Sequence, residues 1–142
     1  MTRRTLVCFL LLLLSVAGCR PNAPEDALQQ AVEHLHQAIE AKDSGAVLDL
    51  LHENFRAQQN FDRQWAKQTM LMLFLRHKHV KVLVLQQQSL LDTSYHDRAR
   101  TQATVALVGA EGLIPDSARH YQLTLNWQLH NQQWQLAELH WE

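Results

Sequence analysis

Residues Tyr121 to Leu129 alternate without a break. Tyr121, Leu123, Leu125, Trp127 and Leu129 fall on one face, and Gln122, Thr124, Asn126 and Gln128 on the other. Successive side chains of a strand point to opposite sides, so this period of two predicts a strand with one apolar and one wetted face. Such a strand needs antiparallel neighbours and a second layer to cover its apolar side. Three further segments supply the neighbours: Val80 to Leu90, Ala99 to Val108, and Gln133 to Trp141. A turn at His130 to Gln132 joins the last two strands. In Gln133 to Trp141, Trp134 and Leu136 share a face, while Leu139 and Trp141 fall in the opposite phase. One extra residue near Ala137-Glu138 restores them to the same side, which predicts a β-bulge there.

The covering layer comes from the N-terminal half. Pro24 to Ala41 predicts a helix: Pro24 suits the first helical position, and Glu25 and Asp26 suit its positive end. Leu28, Val32, Leu35 and Ile39 form its apolar stripe. Asp43 or Ser44 caps a short second helix, with Val47, Leu48 and Leu51 facing inward. His52 to Gln59 reads as irregular or as a short strand around Phe55. Asp62 opens a third helix that runs to about His77. Its segment Met70 to Leu75 is apolar all round, which predicts the most buried helix. Helices followed by an antiparallel meander define an α+β class, here with four strands.

The order of these elements resembles the nuclear-transport-factor-2-like superfamily, also described as a cystatin-like cone. Stretches similar to small bacterial lipoproteins of that type are Leu51-His52-Glu53-Asn54-Phe55-Arg56, Phe74-Leu75-Arg76-His77-Lys78-His79-Val80, and the closing Trp134-Gln135-Leu136 with Trp141. The resemblance covers about residues 25–142 and implies a curved four-stranded antiparallel sheet wrapped around the N-terminal helices. Some superfamily members are enzymes of ketosteroid-isomerase type. They use a buried carboxylate, or a His–Asp pair with a tyrosine, inside the cone.

The first 19 residues, MTRRTLVCFLLLLLSVAGC, predict a lipoprotein signal. Arg3 and Arg4 form a charged start, and Leu6 to Ala17 is apolar apart from Ser15. About a dozen residues suits a secretory core, whereas a spanning helix needs about 20. Val16-Ala17-Gly18-Cys19 is similar to a lipobox. That resemblance implies cleavage between Gly18 and Cys19 and lipid on the Cys19 sulfur. The division is then a signal at 1–18, a tether at 19–24 and a domain at 25–142. Arg20 follows the lipidated residue where an inner-membrane retention signal has Asp. In a Gram-negative cell this implies the outer membrane, with the domain facing the periplasm. Two acyl chains or more hold such an anchor stably.

Residues 1–18 contain two of the 13 basic residues and none of the 14 acidic ones, which leaves 11 against 14, a net charge of −3. No basic field favours nucleic acid. Of the two cysteines, Cys8 leaves with the signal and Cys19 takes lipid, so the domain relies on an apolar core and not on disulfides.

The nine histidines offer no metal motif. His34 and His36 point roughly 200° apart on a helix, and no cysteine remains to assist, so no metal or cofactor is expected. Asp92, Asp97, Glu111 and Asp116 fall on expected turns and surfaces, and His96-Asp97 sits beside Tyr95 in a hairpin loop. Gly109-Ala110-Glu111-Gly112 reads as a hairpin turn and not as a phosphate loop. Trp65, Tyr121, Trp127 and Trp134 read either as a plain aromatic core or as the lining of an apolar pocket. Arg76 to Lys81 is a basic knot that complements the negative end of the third helix, or meets an anionic headgroup or ligand.

These features predict a non-catalytic, lipid-anchored envelope protein. It binds a small apolar ligand, a second copy or an envelope protein. The alternative is an isomerase, dehydratase or cyclase using the cone.

Overall fold

The computed structural model describes residues 23–109 and 120–142. Gly18, Cys19, Glu111, Asp116 and most of the turn after Gly109 lie outside them. Helix α1 (Pro24–Glu40) begins on Pro24 and buries Leu28, Ala31, Val32, Leu35 and Ala38 along one stripe. It ends where the Lys42 amide donates to the Ile39 carbonyl at 3.0 Å, with Lys42 left-handed at φ 56°. Asp43 is the cap of α2 (Ser44–Leu50). Its carboxylate accepts the Ala46 amide at 2.9 Å. Asp62 caps α3 (Arg63–Arg76) in the same way, accepting the Trp65 amide at 2.9 Å.

The sheet has six strands, not four: β1 (Leu51–Ala57), β2 (Phe61–Asp62), β3 (Val80–Leu91), β4 (Arg98–Gly109), β5 (His120–His130) and β6 (Gln133–Trp141). Their spatial order is β2-β1-β6-β5-β4-β3. It is also not wholly antiparallel, because β1 runs parallel to β6. Of the two readings of His52 to Gln59, irregular or a short strand around Phe55, the strand is the one formed, and it is paired over Leu51–Ala57. Its partner lies some 80 positions along the chain, and such a pairing leaves no local sign in sequence.

The bulge is where the phase change in β6 requires it. Trp127 pairs with Leu136 and Asn126 with Glu138, so Ala137 is the extra residue. The hairpin before it carries Asn131 and Gln132 at φ 48° and 64°. Two successive positive values make the tight turn whose twist matches its strands. A second bulge puts Leu85 outside the β3–β4 ladder, between Val84 and Gln86.

The core lies between α1, α2 and the sheet. Trp127 and Leu28 are each 2% exposed and close one end of the cone. Thr101 is 1% exposed, and its hydroxyl accepts the Trp127 indole N–H at 3.1 Å and bonds Ser89 at 2.8 Å. A buried hydroxyl in this position would be costly without those partners.

Helix α3 is not the most buried helix. Only Ala66 and Phe74 are buried on it, while α1 buries five residues. Leu71, Met72 and Leu75 are 42%, 61% and 88% exposed. The physical reason is what α3 covers: an open hollow and not a filled core. No helix among the described residues is long and apolar enough to cross a membrane.

Candidate functional site

Beyond the plug formed by Trp127, the cone is open. A cavity of about 510 Å³ lies between the concave sheet face and the helices. Leu35 and Ile39 of α1 line it, with Phe55 of β1 and Trp65, Thr69, Leu73 and Phe74 of α3. Val80 and Val82 of β3, Val105 and Leu107 of β4, and Tyr121, Leu123 and Leu125 of β5 line the sheet side together with Leu51 of β1 and Leu136, Leu139 and Trp141 of β6. The alternation of β5 and the bulge of β6 put these side chains inside. No carboxylate, histidine, lysine or arginine is among the described lining. The polar atoms available are the hydroxyls of Thr69 and Tyr121 and the indole N–H groups of Trp65 and Trp141.

Of the four aromatic residues singled out in the sequence, two line the cavity and two do not. Trp65 and Tyr121 are lining residues. Trp127 and Trp134 are core residues at the plugged end, and the Trp134 indole nitrogen is buried without a partner. All four lie on apolar faces, and sequence phase alone does not tell the plugged end from the open end. Trp141 was missed as a lining residue. It stacks on Trp65 with centroids 6.1 Å apart, and Trp65 stacks on Phe61 at 4.5 Å. The signal for Trp141 was present in the bulge, which turns it inward.

Other hollows have polar walls, and in the largest of those described the charged groups are already engaged. The hollow at the β3–β4 hairpin, about 720 Å³, holds Asp92, Arg98, Arg100 and Glu138. The Asp92 carboxylate accepts the amides of Ser94 and Tyr95, which hold it below its ordinary range. Arg98 lies over the Tyr95 ring at 4.4 Å, and Arg100 donates to Asn126, which donates to Glu138. His96-Asp97 belongs to this hairpin and does not reach the cone. His52 is buried, accepts the Asn54 amide at Nδ1 and meets His130 edge-on at 5.9 Å, outside the cavity. Among the described residues no group of three His, Cys, Asp or Glu is placed to hold a metal ion.

At the open end α1 clamps the β3 edge. Glu40 accepts the Val82 amide at 2.9 Å, and His36 Nε2 lies 3.1 Å from the Val82 carbonyl and 3.3 Å from Glu40. The Val82 amide, with His36 beside it, holds the Glu40 carboxyl below its ordinary range.

A cone of helices under a curved sheet with an apolar interior defines a nuclear-transport-factor-2-like, cystatin-like fold, and solved structures share it. One is an NTF2-like protein of unknown function from Pseudomonas putida KT2440, with TM-score 0.71, 15% identity, and 86% of this chain against 87% of that one covered. Another is Bd1075 of Bdellovibrio bacteriovorus, with TM-score 0.70, 15% identity and 82% of this chain covered; the match spans 40% of that longer protein. A third is a hexachlorocyclohexane dehydrochlorinase from Novosphingobium barchaimii, with TM-score 0.65, 9% identity, and 83% and 84% covered. In sequence, no family model and no curated relative matches.

The likenesses correct one expectation. Non-catalytic character was read from the scarcity of acid–base residues, yet the frame is shared with that dehydrochlorinase and with proteins assigned as a dehydratase and a ketosteroid isomerase. The missing motif therefore does not set this chain apart from enzymes. At these identities the likeness carries the fold and not an activity.

Proposed function

We propose that this chain is a lipid-anchored cell-envelope protein whose cone binds a small apolar molecule. The observation that carries the reading is the cavity: about 510 Å³, within the range of small-molecule sites, walled by apolar side chains from every layer. An unfilled apolar hollow forfeits contacts that a ligand would restore. The Tyr121 and Thr69 hydroxyls supply the few polar atoms that fix orientation. The lipobox-like Val16 to Cys19 supports placement at a membrane through Cys19.

Native mass spectrometry of the protein purified from its own envelope tests the ligand. An apolar molecule should co-purify at one per chain, and Leu123→Arg, aimed into the cavity, should release it. An empty cone that also fails to take up a fluorescent fatty acid would overturn the reading. The anchor has its own test. Cys19→Ala should abolish incorporation of labelled palmitate, and persistent labelling would remove Cys19 from the proposal.

A second reading, chemistry within the same cone, is favoured by Tyr121. Its phenol lines the cavity of a frame that an eliminating enzyme shares. Turnover of a co-purified ligand that falls with Tyr121→Phe would support it. Unchanged turnover would exclude Tyr121 as the reacting group.

A further inference from the structure

Leu71, Met72 and Leu75 share the outer face of α3 at helical spacing and are 42%, 61% and 88% exposed. Leu73 and Phe74, on the same turns, face the cavity. The helix therefore carries apolar side chains on a face that no described element of this chain covers. The residues that follow are cationic: Arg76, Lys78 and Lys81 are all exposed. Lys42 adds a fourth cation, with Nζ donating to the carbonyls of His77 and Lys78 at 2.9 and 3.3 Å. Among the described residues, the carboxylates near these cations are Glu40, engaged by the Val82 amide and His36, and Asp43, which accepts the Ala46 amide.

Apolar side chains beside clustered Lys and Arg match the two layers of an anionic bilayer surface. The apolar groups enter the acyl boundary, and the cations sit among the headgroups. A bilayer surface presents both layers directly beside each other over any such patch, which a protein partner would have to match residue by residue. We propose that the C-terminal end of α3 docks on an anionic lipid surface, with Leu71, Met72 and Leu75 inserted and Arg76, Lys78 and Lys81 at the headgroups. The ligand reading is not needed for this.

Chain length permits the contact on the membrane that would hold Cys19. The 17 residues of α1 run about 26 Å at 1.5 Å per residue. Lys42, just past the far end, touches the docking surface. Residues 19–22 reach about 14 Å when extended. A lipid on Cys19 and a docked α3 can thus share one bilayer when α1 lies nearer to flat than upright.

The test uses residues 20–142, which contain no cysteine and hold every described core residue. A nitroxide is placed at Leu75→Cys, with Gln102→Cys on the polar sheet face as the control. On phosphatidylglycerol-containing vesicles at low salt, position 75 should become oxygen-accessible and shielded from an aqueous relaxant, while position 102 stays wet. On pure phosphatidylcholine both should stay wet. Lys78→Glu with Lys81→Glu, both exposed, should lower the bound fraction about tenfold or more while circular dichroism holds. Four results would each overturn the proposal: equal binding to neutral vesicles, no binding at millimolar lipid, a bound protein with a wet position 75, or a position 75 covered by a second copy without lipid. Uptake of the fluorescent fatty acid, measured without vesicles, reports the ligand reading separately.

Discussion

Replacing Trp127 by Phe probes the plug of the cone. Trp127 is 2% exposed and donates its indole N–H to Thr101, itself 1% exposed. The substitution removes about 40 Å² of buried apolar surface at about 25 cal/mol per Å², roughly 1 kcal/mol. It leaves a void of about 40 Å³ at about 24 cal/mol per Å³, roughly 1 kcal/mol more. The lost hydrogen bond adds about 0.5–1.5 kcal/mol, moderated because Thr101 keeps Ser89. The expected loss is about 2–4 kcal/mol. The assay is urea unfolding, read as a shift of midpoint at constant m. Thr101→Val should itself be destabilising, because it strands the indole N–H in the core. The double variant should cost less than the two singles added, by about 1 kcal/mol, because the stranded group is then gone. Strict additivity, or a loss under about 0.5 kcal/mol for Trp127→Phe, would refute the argument that this contact seals the closed end.

Leu73→Ala should cost only about 1 kcal/mol, below the ~2–5 kcal/mol of a fully packed leucine, because Leu73 is half-buried against a hollow; a urea-measured loss above about 2.5 kcal/mol would mean the cavity is filled. Asp62→Ala should cost about 0.5–2 kcal/mol by freeing the Trp65 amide, with Asp62→Asn restoring most of it. Glu40 has a lowered pKa through the Val82 amide and His36, so it stabilises the fold above its ordinary carboxylate range and that contribution fades as pH falls through its folded value. The stability gap between the wild type and Glu40→Gln should therefore be largest near neutrality and close on the acid side. A gap that widens on acidification contradicts the sign.

Much of the scaffold was legible because its signals are local. The alternation of Tyr121 to Leu129, the caps at Asp43 and Asp62 and the phase break in β6 are each written within a few residues. What escaped depends on partners far along the chain. A short strand around Phe55 is one of two readings of its segment, but its parallel pairing to β6, which settles Leu51–Ala57 as a strand, has no local mark. Met70 to Leu75 reads as core because its composition is apolar on every side. Which side meets a wall, a void or solvent is set by the sheet opposite. The candidate site divides in the same way. Trp65, Tyr121, Trp127 and Trp134 were legible only as core or pocket aromatics alike, and the line between plug and cavity that separates the first two from the last two emerges only from the folded cone.

Ala137 divides β6 into two half-strands. Upstream, Trp134 belongs to the plug and Leu136 reaches from the core to the cavity wall; downstream, Leu139 and Trp141 continue that wall. Removing that one alanine would turn Leu139 and Trp141 outward and bring Glu138 and His140 inward, putting charge where the cavity now has an apolar wall.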